Sequence, residues 1–218
     1  MNQLKPTRSL RALMVGFGAL AVISYALHVV FGRLGYDGYD WLSQAISDLT
    51  ADDSPSRVVA RWFSGLYGAF SVIALTISLT IWREHGTKTE RLGVMLFTMM
   101  LFISAVGYAL FPLTAAGYSG TFRDVMHMVV TVLVVALTIA SLITLIIGYH
   151  KTGRVTAFRV SLGALLALMV SAVLTGLVPA AYFGVAERVS VYTVVLYMMF
   201  LVVIAYTLEV RKDAHKAN

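Results

Sequence analysis

Six apolar runs divide the chain, each close to the roughly 20 residues that a bilayer demands of a spanning helix, and short polar segments separate them. The runs fall at about 10–32, 58–82, 92–111, 123–147, 158–178 and 190–210. None alternates as a barrel strand would. Backbone groups inside lipid must be satisfied within their own segment, so each run is expected to be a helix. Pro112 and Pro179 close the third and fifth runs, because proline cannot supply the next helical N–H. The longest polar interruption, Tyr36 to Asp53, has a period of its own. Trp41, Leu42, Ala45, Ile46 and Leu49 share one helical face. The pattern predicts a six-transmembrane-helix bundle in a single membrane domain over 1–218, all-α, with a short amphipathic helix in the first outer loop. That helix is expected to fold back over the bundle, stripe inward, with Asp48 directed toward the fourth and sixth helices.

Composition supports the membrane reading. The chain is 59% hydrophobic and 13% charged, against about 25% charged in soluble domains. There are no cysteines, which excludes disulfides and thiolate chemistry. The formal net charge of +6 would suggest nucleic acid in a soluble protein. Here most of that charge lies in loops, and topology explains it without a nucleic-acid partner. Twelve of the 17 Lys and Arg residues, Lys5 among them, fall on the side of the termini. Five (Arg33, Arg57, Arg61, Arg123 and Arg188) fall on the other. The positive-inside rule places both termini in the cytoplasm of a cell membrane. A homo-oligomer is compatible with the sequence but not indicated by it.

The outer rim gathers the candidate chemistry. Arg123, Asp124 and His127 share a face at the start of the fourth helix, being spaced i,i+3 and i,i+4. Glu187 and Arg188 are placed in a short loop before the sixth span, where Glu187 is expected to bridge Arg123 or Arg61. Ser47 and Asp48 are expected to cap their own turn. His28 reads as an interhelical hydrogen-bonding residue. The ligand-binding candidates are therefore Ser47, Asp48, Arg61, Arg123, Asp124, His127, Glu187 and Arg188. The catalytic candidates are Asp48, His127 and Glu187, with no catalytic role assigned. His28 and His127 could together face a metal or haem, but no zinc-ligand spacing is present, so no metal or cofactor is assigned. Ser43 or Ser47 with His127 and an aspartate would suit a hydrolase, yet no nucleophile elbow exists. Small residues are frequent in the spans, and Ser64-Gly65 with Gly68, and Gly16 with Leu20, are read as points of close helix approach.

Four elements together carry a resemblance. They are L-S-Q-A-I-S-D-L-T-A (Leu42 to Ala51) after the first span, F-P (Phe111–Pro112) ending the third, R-D-x-x-H (Arg123 to His127) opening the fourth, and G-x-x-E-R (Gly184 to Arg188) before the last. The chain resembles the bacterial and archaeal membrane family of unknown function DUF998. The resemblance implies a multi-helix membrane protein with no established activity. It also marks Ser47, Asp48, Pro112, His127, Glu187 and Arg188. The I-S-D element is similar, more distantly, to the FRAG/DRAM/SFK membrane family, some of whose members are linked to lipid remodelling. The expected function is non-enzymatic binding of membrane lipid or a small amphiphile at the outer rim. A membrane-embedded lipid hydrolase or transferase is the alternative. A small-molecule transporter ranks behind both, because no charge lies at a span midpoint and no clear inverted repeat is present.

Overall fold

The computed structural model describes residues 8–217, with side chains for 8–210. Lys5, which counts toward the orientation, lies outside the described residues. Six long helices account for the runs: α1 (Arg8–Leu34), α2 (Arg57–His85), α3 (Lys88–Leu110), α4 (Phe122–Lys151), α5 (Val155–Leu177) and α6 (Phe183–Ala217). All six are long and apolar enough to cross a membrane. At 1.5 Å per residue, the 27 residues of α1 rise about 40 Å, more than a hydrocarbon core of about 30 Å requires.

Successive helices pack side by side from α1 to α6, and α6 returns to α1, so the six close a ring. α2 also touches α6 across the middle. The core is built from Met14, Leu75, Trp82, Phe97, Met100, Leu145, Tyr149, Met198 and Leu201, all essentially inaccessible. The α3–α4 seam is tight because glycines lie in it. A Cβ on Gly93 would stand 2.5 Å from Leu145 Cγ, and one on Gly107 would stand 2.7 Å from Val130. Gly68 packs equally closely on Ala105, whereas Gly16 and Gly65 meet nothing within 4 Å. These last two are not the contact points their sequence setting suggested.

Helix ends follow their local chemistry. Thr87 with Glu90 and Thr121 with Asp124 form full capping boxes at the starts of α3 and α4. Each satisfies two of the N–H groups a helix start leaves open. Val178, before Pro179, is extended and ends α5. A single 3-10 turn, Ala180–Tyr182, then leads straight into α6. Glu187 and Arg188 therefore ride on the opening turns of α6, not in a loop. No helix-breaking proline follows Pro179 to hold them off the helix.

Residues 35–56 form a lid over the end of the ring away from the termini. The expected amphipathic helix is absent. Residues 41–43 are a turn and 44–46 are irregular, and only Ser47–Thr50 makes one 3-10 turn. The apolar side still faces inward: Leu49 and Ile46 are buried against Ala60, Val29 and Val191, while Trp41 stays outside.

Candidate functional site

The lid lacks a helix because side chains take the backbone partners a helix would use. Asp40 accepts from Leu42 N (3.1 Å) and from the Ser43 hydroxyl (2.6 Å), while Asp40 N donates to Gln44 Oε1 (2.7 Å). Asp48 Oδ2 accepts from Ala45 N at 3.1 Å. Glu187 Oε2, reaching across from α6, accepts from Ile46 N at 2.8 Å. The Tyr39 hydroxyl donates to the Ala45 carbonyl at 2.7 Å. Arg188 Nη1 donates to the carbonyls of Gln44 (2.9 Å) and Gly184 (2.7 Å), and Nη2 donates to the Tyr39 hydroxyl at 2.5 Å. The Arg188 guanidinium also lies over the Tyr39 ring, 5.8 Å from its centroid. In return, the Leu42 carbonyl accepts from Val185 N at 3.2 Å, supplying an acceptor to one N–H in the first turn of α6.

Gly184 lets this happen. The carbonyls of Gln44 and Trp41 lie directly on it, and a Cβ would come within 2.7 Å of the Trp41 oxygen. Burial pushes the Tyr39 hydroxyl pKa up to about 12, with Arg188 opposing. It therefore stays protonated as the donor between Arg188 and Ala45.

A second seam joins the lid to the α3–α4 loop. Asp48 Oδ1 accepts from Gly117 N (3.0 Å), Asp53 Oδ1 accepts from Ala116 N (3.1 Å), and Asp52 N donates to the Leu113 carbonyl (2.9 Å). Gly117 sits at φ +81°, which glycine adopts without a side-chain penalty. Asp48 thus addresses the α3–α4 loop and its own turn, not the fourth and sixth helices. Burial raises its pKa, against the two backbone N–H bonds that favour the carboxylate.

Other candidates are also engaged with the backbone. Asp124 is fully buried and gathers Thr114, Ser119 and Thr121 of its own loop. His127 donates Nδ1–H to the Phe111 carbonyl at 2.9 Å and lies against the Tyr108 ring. It is buried, and among the described residues no hydrogen bond links it to Asp48, Asp124 or Glu187. His28 makes the matching bond to Ala60 across α1 and α2, also at 2.9 Å. The two histidines serve different helix pairs. Ser47 contributes its carbonyl, to Thr50 Oγ1.

The cationic side chains that stay accessible converge elsewhere. Arg61 Nη2 and Arg123 Nη1 each meet Asp52, one on each oxygen, both at 2.6 Å. Arg57 Nη1 donates to the Asp52 carbonyl at 2.9 Å. Arg61 also forks onto the Thr50 carbonyl. The bridge expected from Glu187 to Arg61 or Arg123 does not form, because both arginines are taken by Asp52. Hydrogen bonding to Arg61, with Arg123 adding to it, holds the Asp52 carboxyl below its usual range. Arg57, Arg61 and Arg123 outnumber the neighbouring carboxylates of Asp52 and Asp53 and leave local positive charge. Below them, Val58, Trp62, Gly65 and Leu66 line a groove of about 460 Å³ with Arg61 at its wall. Sequence reasoning passed over Asp52 and Arg57. The i,i+4 spacing of Arg57 and Arg61 on one face of α2 was the available signal.

The family model described as "Protein of unknown function (DUF998)" matches residues 19–204. The distant likeness to the FRAG/DRAM/SFK family receives no support. No curated protein and no solved structure matches the chain.

Proposed function

We propose that this chain, which belongs to the DUF998 family, is a multi-pass protein of the cell membrane that binds an anionic amphiphile, such as a phospholipid, at the lid end. Both termini would face the cytoplasm, following the basic loops on their side. The observation that carries the reading is a groove and a charge cluster in register. The groove along α2 is apolar, runs on the lipid-facing side of the helix, and is open above Gly65. At its lid end stand Arg57, Arg61 and Arg123, whose charge Asp52 only partly neutralises. An acyl chain in the groove would put its phosphate or carboxylate at the arginines, where guanidinium forks bind such groups well.

The rest of the rim is committed to structure. Asp48, Glu187 and Arg188 hold the lid, Asp124 holds its loop, and His127 holds the end of α3. Among the described residues no hydrogen-bonded relay joins them, and the groove with its arginines is what supports the binding reading.

The test is lipid retention by the purified full chain. Wild type should copurify with an anionic phospholipid detectable by native mass spectrometry. Gly65→Phe, which fills the groove, and Arg61→Glu, which reverses the headgroup charge, should each cut that retention severalfold, with circular dichroism showing that each variant keeps its helices. Equal retention by wild type and both variants would remove the proposal.

A further inference from the structure

At the opposite end of the bundle three metal-ligating side chains converge. His85 is the last residue of α2, Glu84 precedes it, and Glu209 comes from α6. One ligand atom from each lies within 4.8 Å of the other two. His85 Nε2 is 2.6 Å from Glu209 Oε2 and 4.0 Å from Glu84 Oε2. The geometry points to a divalent transition-metal site, with zinc the best fit, that clasps the end of α2 to α6.

Three observations support it. First, the donor set mixes one imidazole nitrogen with two carboxylate oxygens, which suits Zn²⁺ and disfavours Mg²⁺. Second, the spacing fits with small movement. Ligands at about 2.1 Å from a tetrahedral zinc stand about 3.4 Å apart, so the 2.6 Å separation opens by about 0.8 Å, the 4.0 Å one closes by about 0.6 Å, and the third, within 4.8 Å, closes by at most about 1.4 Å. Third, the site is built into the fold. Glu209 is 4% exposed, and its carboxylate is directed at the same imidazole nitrogen that Glu84 approaches. Neighbouring Arg154 supports the site from behind. It directs Nε at Glu90 (3.4 Å), donates Nη2 to the His85 carbonyl (3.2 Å), and lies over the Trp82 ring. The bond to the His85 carbonyl fixes the backbone that presents the imidazole, as outer partners of metal ligands do. Three protein ligands leave a fourth position for water or an exchangeable ligand.

The test uses the full chain in detergent, stripped with chelator and then titrated with Zn²⁺ alone. Wild type should take up one zinc per chain and unfold at higher temperature with the metal. Cobalt substituted for zinc should give the visible absorption of a four-coordinate site with nitrogen ligation. His85→Ala and Glu209→Gln should weaken zinc binding at least tenfold, and Glu84→Gln less. Thermal unfolding without metal shows whether each variant folds, and Glu84→Gln, at the most exposed of the three residues, remains informative if the buried changes do not. Mg²⁺ should not substitute. Failure of wild type to bind zinc saturably in the micromolar range would overturn the proposal. So would binding that all three variants retain, or a cobalt spectrum without nitrogen ligation.

Discussion

The two ends of the bundle solve the same problem differently. Each has a buried carboxylate in a capping box, Glu90 near the termini and Asp124 under the lid. Asp124 spends its remaining capacity within ten residues, on Thr114 and Ser119. Glu90 reaches across 62 residues to Thr152 and faces Arg154. One carboxylate closes its own loop, and the other ties α3 to the start of α5. Connections near the termini are only a few residues long, so their helices meet directly. The lid spans residues 35–56 with almost no regular structure, and its backbone depends on side chains from α6. Long-range polar bonds near the termini tie one helix end to another, while those from α6 at the other end satisfy the backbone of the lid.

Removing Arg188 should break the comparison most severely. Arg188→Met leaves the Gln44 carbonyl and the Tyr39 hydroxyl short of partners at a buried site. A loss of about 3 kcal/mol is expected, read from denaturant unfolding in detergent. Proteolytic cleavage should appear within residues 39–46 before anywhere near the termini. If cleavage were uniform along the chain, the lid would not be the dependent unit described. Gly184→Ala should come next, at about 1–3 kcal/mol. Its Cβ meets the lid carbonyls of Trp41 and Gln44, so hydrogen exchange should quicken in the lid while the end near the termini keeps its protection.

Capping should sharpen the contrast. Thr87→Ala and Thr121→Ala each remove one cap, for about 1 kcal/mol. Exchange after Thr121→Ala should rise only in the α3–α4 loop. After Thr87→Ala it should spread to residues around Thr152. Identical, local responses would dissolve the distinction between Asp124 and Glu90.

The smallest effects concern pH. The folded-state pKa of Asp52 is lowered, so the unfolded chain binds more protons. Its contribution is present above the ordinary carboxylate range near pH 4 and fades as pH falls toward the depressed value. Asp48 has the opposite sign: its folded pKa is raised, so stability declines as pH climbs from that range toward the elevated value. Asp52→Asn should cost under about 1 kcal/mol, since its partners are more than a third exposed. Thermal unfolding followed from acid to neutral pH should show the acid-side loss shrink in Asp52→Asn and the alkaline-side decline shrink in Asp48→Asn.

Much of the fold is legible along the chain. Apolar length placed six helices, Pro112 and Pro179 closed two of them, and an inward stripe marked Ile46 and Leu49 for burial. The site was less legible, for reasons particular residues make clear. Trp41 to Leu49 carries helical periodicity, yet Glu187, from 141 residues away, takes the Ile46 N–H that helix formation would need. Glu187 and Arg188 looked like loop residues because they follow the break at Pro179 in a short stretch rich in small residues. Arg61 and Arg123 looked free for Glu187 because nothing local links them to Asp52.

By itself the sequence determined how many helices cross, where prolines stop them, which loops carry positive charge, and that thiol chemistry is absent. These are properties of composition and short-range period, which a bilayer reads directly. Tertiary structure alone decided that the first loop lies as a strapped coil, that Asp52 gathers Arg61 and Arg123, and that Glu84, His85 and Glu209 meet. Each joins residues distant along the chain or depends on which backbone group a distant side chain satisfies. Hydrogen bonds last only a few ångströms, so the partners exist only once the helices are packed.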